Sequence, residues 1–355
     1  MDRVLFWILG AFALLGALDR ILGNSFGLGR EFENGLYTMG SLMLAMAGIV
    51  SLSPILAAGL RPVILPVFRF LGADPAMFAG SILACDMGGG ALARQLTGDI
   101  RAANLGGVIT GSMLGATLVF TIPVALGILE PEDRPYFAKG ILCGMVTIPI
   151  GIFTGGLTAG YPMGMVLRNL IPIVILSGLI ALGLWKAERA MVRGFTLFGQ
   201  FVVVLATLGL GAAIFQNLTG VNFLPGLAPI EEGIGTVGTI AVVLAGAFPM
   251  VYLLTRLLKG PLTAAGRLIG INDAAAAGLV AALANSIAAF TMVKDMNPRG
   301  KVVTIAFCVS GAFVLGDHLG FAAGFAPEIL PAMLAGKLAG GIAAAILALI
   351  LTKKD

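Results

Sequence analysis

The sequence predicts an all-α polytopic membrane protein with about 10–12 transmembrane segments. Of its 355 residues, 58% are hydrophobic and only 11% are charged, and the mean hydropathy is +1.02. Soluble domains carry roughly a quarter charged residues, so this composition excludes a soluble enzyme. The 51 glycines agree with membrane helices, because small residues allow helices to approach closely and to break locally.

Hydropathy divides the chain into eleven apolar segments joined by short connections. They lie near 3–20, 35–59, 75–96, 103–129, 137–158, 164–185, 194–216, 233–258, 273–293, 302–325 and 331–352. We interpret the first as a retained helix, because Asp19 and Arg20 follow it in place of a small-residue cleavage site. The net charge of +4 comes from basic residues spread singly, which indicates membrane orientation and no nucleic acid partner.

An internal repeat is predicted, because a shift of 198 positions aligns the chain with itself without a gap. Charged residues coincide under this shift: Glu33 with Glu231, Arg69 with Arg267, Arg101 with Arg299, Glu130 with Glu328, and Lys139 with Lys337. The predicted domains are a first transmembrane repeat (1–157), a linker with one helix (158–198) and a second repeat (199–355). Such repeats are typical of secondary transporters. Whether they are parallel or inverted, and how the chain is oriented, stay open.

Two acidic residues, Asp86 and Asp317, lie near the middle of apolar segments. A carboxylate at the centre of a membrane helix costs about 3 kcal/mol on insertion scales, so its presence indicates a functional site. Asp86 precedes three glycines that include Gly88 and Gly89, which predicts an interrupted helix whose free carbonyls join the carboxylate in a cation site. In the second repeat, the same neighbourhood contains Asn285, which offers neutral hydrogen-bonding groups.

His318, the single histidine, follows Asp317 directly and could carry a proton or form a structural hydrogen bond. Thr121 lies two residues before Pro123 and could offer its hydroxyl to a ligand or belong to a simple kink. Phe321 and other aromatic residues near the glycine breaks could shield an organic ammonium.

Negative findings narrow the class of protein. A single histidine and three cysteines without a Cys-x-x-Cys spacing predict neither a metal site nor a disulfide framework. The sequence contains no nucleotide-binding glycine motif and no hydrolase motif, so we expect no catalytic residues, no cofactor and no enzyme activity. The class of function that these observations leave is transport of a small solute across the membrane.

Several motifs together resemble the bacterial ethanolamine-utilisation membrane proteins, the ethanolamine permease family called EutH. The resemblance covers nearly the whole chain and rests on 78–80, Ala84-Cys85-Asp86-Met87-Gly88-Gly89, 122–128, 146–151, Ala282-Leu283-Ala284-Asn285 and Gly316-Asp317-His318-Leu319-Gly320-Phe321-Ala322-Ala323. It implies a multi-pass protein of the bacterial plasma membrane that takes up ethanolamine for catabolism.

Ethanolamine, a small ammonium with one hydroxyl group, suits the residues already singled out. We expect Asp86, Asp317, Asn285, His318, Gly88, Gly89, Thr121 and Phe321 to bind it. The predicted partners are ethanolamine and the lipid bilayer, and a homo-oligomer is left open. We expect facilitated movement; the alternative is a proton- or sodium-coupled secondary transporter of another small amine or organic solute.

Overall fold

The all-α fold class is confirmed. A computed structural model describes residues 2–222 and 224–353, and within these ranges the chain forms helices and no β-strand. Eight helical stretches of the described residues are long and apolar enough to cross a membrane: Val4–Ile21, Leu28–Phe70, Ile100–Ile128, Pro131–Thr158, Met163–Ala187, Arg189–Thr219, Ile230–Leu257 and Pro327–Leu351. The chain is therefore a multi-pass membrane protein.

The α-helices in chain order are α1 (Asp2–Ile21), α2 (Leu28–Leu42), α3 (Gly48–Phe70), α4 (Ala76–Ile82), α5 (Gly89–Leu96), α6 (Ile100–Ala103), α7 (Ile122–Ile128), α8 (Arg134–Thr158), α9 (Met163–Thr219), α10 (Ile230–Leu268), α11 (Asp273–Ala284), α12 (Ser286–Thr291), α13 (Pro298–Gly311), α14 (Asp317–Phe325) and α15 (Leu330–Leu351). A π-helical turn, Met43–Ala47, joins α2 to α3. Two further π-helical stretches, Asn104–Gly115 and Thr117–Thr121, lie between α6 and α7 within a single span.

Three of the eleven predicted segments are interrupted rather than continuous. The breaks separate α4 from α5, α11 from α12, and α13 from α14, and they account for the segments missing from the eight long spans. The prediction of discontinuous helices is thus confirmed. The 198-residue repeat and the three predicted domains stay predictions, and the boundary placed after residue 198 falls inside α9.

A kink divides α9, the longest helix of the described chain, into two spans. Ala187 has φ −142° and ψ 47°, which is not helical, and the 57-residue helix bends there. The first part packs against α8, while the second part packs against α3 and reaches the central cavity described below.

Glycine allows the central helices to pack at backbone distance. α8, α13 and α15 contact one another, and a Cβ atom at Gly336 of α15 would lie 2.7 Å from the carbonyl oxygen of Gly151 in α8. A Cβ at Gly80 of α4 would overlap the Gly106 carbonyl oxygen in the π-helical stretch. Larger side chains would separate these helices, so the glycines fix the position of the α4–α5 break against its neighbours.

Candidate functional site

A cavity of about 850 Å³ lies between the α4–α5 break and the α13–α14 break. Its other walls come from α2, residues 116–124 and the second part of α9. Most lining residues are apolar, and the polar exceptions are Ser41, Asp86, Thr196, Gln200, Asp317 and His318. A mainly apolar pocket with a few convergent polar groups is the usual form of a small-molecule site.

Asp86 lies in the break between α4 and α5. Helix α4 ends because Leu83 and Ala84 adopt extended conformations, and the 3₁₀ turn Cys85–Met87 follows. Gly88 then takes φ +96°, a left-handed conformation that L side chains rarely adopt, and starts α5. The carboxylate therefore lies on a non-helical turn at the cavity wall, with 14% of the side chain exposed.

The α13–α14 break places Asp317 at the first position of α14. Its backbone is held by the α11–α12 break: the Phe313 N–H donates to the Ala282 carbonyl at 3.0 Å, and the Leu315 N–H donates to the Leu283 carbonyl at 2.8 Å. The last carbonyls of a helix have no partner within it, so one interrupted segment supplies acceptors for the other.

Asp86, Asp317 and His318 are brought together at the cavity. The His318 Nε2 atom lies 3.9 Å from Asp86 Oδ1, and the imidazole is almost fully buried. Its Nδ1 atom has no hydrogen-bond partner among the described residues. Asp317 also interacts electrostatically with Asp86. Two neighbouring carboxylates repel each other and attract a cation, so this end of the cavity suits a positively charged solute.

Two aromatic rings cover the wall beside these groups. The Phe313 ring lies edge-on to Phe120 with centroids 5.5 Å apart, and it lies 5.2 Å from the His318 ring. Phe313 has φ +61°, a conformation that is rare for a residue with a side chain. The break thus directs an aromatic ring into the cavity, where its π face can contact a cation.

Lys337 is a buried basic residue close to the same site, and it is not among the predicted binding residues. It lies on α15 with only 1% of its surface exposed, and its Nζ atom donates to the Ser112 carbonyl at 2.6 Å. Lys337 interacts electrostatically with both Asp86 and Cys85. Its position in an apolar segment was a visible signal, because a mid-membrane lysine is as unfavourable as an aspartate.

The other predicted binding residues do not line this cavity. Gly88 caps α5 and Gly89 is its first residue, directly after the turn that carries Asp86. The Asn285 side chain accepts a hydrogen bond from the Ile287 N–H at 2.8 Å and so caps α12. Thr121 is buried in the π-helical stretch, and Phe321 stacks on Phe325 with centroids 4.8 Å apart. Roles in binding for all eight residues stay predictions.

Comparison with known proteins identifies the family. A family model described as "Ethanolamine utilisation protein, EutH" matches residues 1–351. The chain belongs to the EutH family. "Probable ethanolamine permease EutH" of Listeria monocytogenes is 54% identical over 323 residues, which cover 91% of this chain and 87% of the relative.

Two further relatives match over similar shares of the chain. "Uncharacterized protein YxeR" of Bacillus subtilis is 52% identical, covering 91% of this chain and 87% of the relative. "Probable ethanolamine permease EutH" of Escherichia coli is 47% identical, covering 91% and 88%. No solved structure matches the chain. The resemblance to EutH drawn from the motifs is confirmed, and named permeases among the relatives agree with a transport protein of the bacterial inner membrane.

Proposed function

We propose that this chain carries ethanolamine, as its ammonium form, across the bacterial plasma membrane and that it acts as a facilitator. The observation that carries the proposal is the meeting of Asp86, Asp317 and His318 at a cavity within membrane helices. The names of the relatives, which are described as probable ethanolamine permeases, supply the substrate. These names also favour a transport protein over an enzyme.

The chemistry of the cavity supports an ammonium with a short polar tail. Asp86 and Asp317 replace the water lost by the ammonium, and the Phe313 ring adds a cation–π contact. Thr196 and Gln200 line the cavity with neutral polar groups that can bind a hydroxyl group.

A second cavity supports a path that continues beyond the carboxylates. It measures about 450 Å³, and its polar lining residues include Arg94, Glu231 and Glu232. Helix α5 starts beside Asp86 and carries Arg94 near its end, while α14 starts at Asp317 and ends in the second cavity. Two short helices thus extend from one cavity to the other, and we place the route of the solute between them.

Aromatic residues close this route. The stacked Phe321 and Phe325 rings pack on the α5 backbone, where a Cβ at Gly90 would lie 2.7 Å from Phe321. Arg94 lies over the Phe325 ring at 3.6 Å from its centroid and donates to the Phe325 carbonyl at 2.6 Å. A positively charged side chain at the closure opposes a cation. Passage therefore requires α5 and α14 to separate.

Lys337 sets the strength of binding in this scheme. Its positive charge opposes an ammonium at Asp86, because like charges repel strongly in surroundings of low dielectric constant. A facilitator must release its solute as readily as it binds it. The buried lysine limits affinity and so favours release.

The test is counterflow of labelled ethanolamine in proteoliposomes, with equal ion concentrations on both sides. The parent protein should exchange ethanolamine, and an excess of unlabelled ethanolamine, but not of an organic anion, should compete. Glu132→Gln is a control variant that should exchange ethanolamine like the parent, because Glu132 is an exposed acid outside the cavity. Failure of the correctly inserted parent to exchange ethanolamine would refute the proposal.

Ion coupling is distinguished in the same vesicles. The pair of His318 Nε2 and Asp86 Oδ1, 3.9 Å apart, is the observation that favours a proton-coupled carrier. With the electrical potential held at zero, an imposed pH or sodium gradient should not concentrate ethanolamine beyond its equilibrium distribution. Concentration beyond that limit, abolished by His318→Ala, would replace facilitation by proton coupling.

A further inference from the structure

Cys85, Asp86 and His318 each contribute one metal-binding atom to a common cluster. The Cys85 Sγ atom lies 4.0 Å from Asp86 Oδ1, and His318 Nε2 lies 3.9 Å from the same oxygen. All three ligand atoms lie within 4.8 Å of one another. The cluster joins residues from two interrupted segments in opposite halves of the chain, so no local sequence motif shows it.

These spacings are close to those of a tetrahedral metal site. Zinc binds thiolate, imidazole and carboxylate ligands at about 2.0–2.3 Å, which places neighbouring ligand atoms roughly 3.3–3.8 Å apart. The Cys85, Asp86 and His318 atoms therefore need to approach one another by at most about 1.5 Å. Asp86 stands on a short turn, and rotation of its carboxylate can supply part of that movement.

The surroundings leave these side chains free to bind a metal ion. Cys85 is a free, fully buried thiol, and His318 is almost fully buried with its Nδ1 atom unpartnered among the described residues. Asp86 and His318 also line the 850 Å³ cavity, so a fourth ligand position opens toward solute or water. One sulfur, one nitrogen and one oxygen select zinc-like ions over magnesium or calcium, which prefer oxygen alone.

The balance of charge predicts reversible binding. A thiolate and a carboxylate together neutralise a divalent cation, and both must be deprotonated to bind it. Lys337, which interacts electrostatically with Cys85 and Asp86, opposes the metal charge. A positive charge on Lys337 near the three ligands weakens binding, so the site suits a reversible occupant rather than a structural ion.

We propose that Cys85, Asp86 and His318 form a binding site for Zn²⁺ or a similar divalent transition-metal ion, and that the bound ion blocks the cavity. Binding takes Asp86 and His318 away from the solute. The block rests on the proposed transport function, whereas metal binding itself does not depend on it.

Binding is tested on the purified full-length protein with Co²⁺, which substitutes for Zn²⁺ and absorbs characteristically when bound by a thiolate. The parent should show the thiolate–cobalt absorption, and Zn²⁺ should displace it. Cys85→Ser should abolish it, and His318→Gln should weaken it at least about tenfold. Cys308→Ser is the matched control, because Cys308 is an equally buried free thiol outside the cluster, and it should behave as the parent.

The block is tested by ethanolamine counterflow with and without Zn²⁺. Zn²⁺ should inhibit the parent and Cys308→Ser alike, chelation should restore exchange, and Mg²⁺ should have no effect. Cys85 does not line the cavity, so Cys85→Ser should keep exchange and need at least about tenfold more Zn²⁺ for inhibition.

The possible outcomes separate the two proposals. Absence of the thiolate–cobalt absorption, or equal Zn²⁺ sensitivity of Cys85→Ser and the parent, would overturn the metal site and leave transport untouched. Cobalt binding by a parent that exchanges no ethanolamine would support the site and refute the transport function.

Discussion

The α4–α5 break and the α11–α12 break take corresponding places under the 198-residue shift, yet they differ in chemistry. The first carries Asp86 on its turn and lines the cavity. The second carries Asn285, which caps α12, and gives its free carbonyls to the α13–α14 break. An interrupted membrane helix can thus serve either as a binding surface or as a support that positions another binding surface.

The largest expected effect concerns the α4–α5 break, which carries Asp86. Asp86→Asn keeps the size of the side chain but removes the charge that compensates an ammonium, so ethanolamine counterflow should fall at least about tenfold. The comparison variant is Glu132→Gln, which should exchange like the parent. If Asp86→Asn inserts normally and exchanges within twofold of the parent, the α4–α5 break is not the charged binding surface.

The contact between the α11–α12 break and the α13–α14 break is tested by Gly316→Ala. A Cβ at Gly316 would overlap the Ala284 carbonyl oxygen, where the α13–α14 break meets the α11–α12 break. We expect the free energy of unfolding to fall by about 1–3 kcal/mol, measured as a lower thermal midpoint in detergent. Gly98→Ala should be harmless, because a Cβ there has nothing within 4 Å. Equal midpoints for the two variants would show that this contact is not tight.

Lys337→Met tests whether the lysine beside Asp86 weakens ethanolamine binding at the α4–α5 break. Loss of the positive charge near Asp86 should tighten ethanolamine binding, roughly tenfold, in a titration of purified protein. Lys139→Met is the matched control, because Lys139 coincides with Lys337 under the repeat shift but is exposed and donates to the Leu351 carbonyl at 2.9 Å. Unchanged or weaker binding in Lys337→Met would show that Lys337 does not oppose the ammonium.

The smallest effect is expected at the α11–α12 break, which carries Asn285. Asn285→Ala removes the cap of α12 and should lower the free energy of unfolding by about 1 kcal/mol, with counterflow within twofold of the parent. Asn285→Ser keeps a capping oxygen and should recover most of the stability. A fall in counterflow like that of Asp86→Asn would instead make Asn285 a ligand of the solute, as the sequence predicts.

The fold could be predicted from composition and hydropathy because the membrane restricts the chain to helices. The eleven segments and the break beside Asp86 followed from apolar length and from Gly88, whose positive φ the structure shows. The internal repeat stays a prediction from the sequence. Its charged coincidences remain an observation about the sequence.

The site was predictable only where a residue was unusual in its own segment. Asp86 and Asp317 were recognised because carboxylates are rare in apolar surroundings, and they lie at one cavity. Lys337 carried the same signal, because a lysine in an apolar segment is as rare as a carboxylate. The proximity of Cys85 to His318 could not be predicted, since it depends on how two breaks in distant segments pack together.

The carboxylates at the cavity have an electrical consequence. A site that selects the ammonium form moves one positive charge with each solute molecule, so the voltage across the membrane acts on transport directly. A potential of about 100 mV, negative inside, is worth about 2.3 kcal/mol per charge, or roughly a fiftyfold concentration ratio. Under the proposed function, a cell could thereby accumulate the amine through a facilitator without spending an ion gradient on it, whereas the neutral amine crossing the lipid alone gains nothing from the voltage.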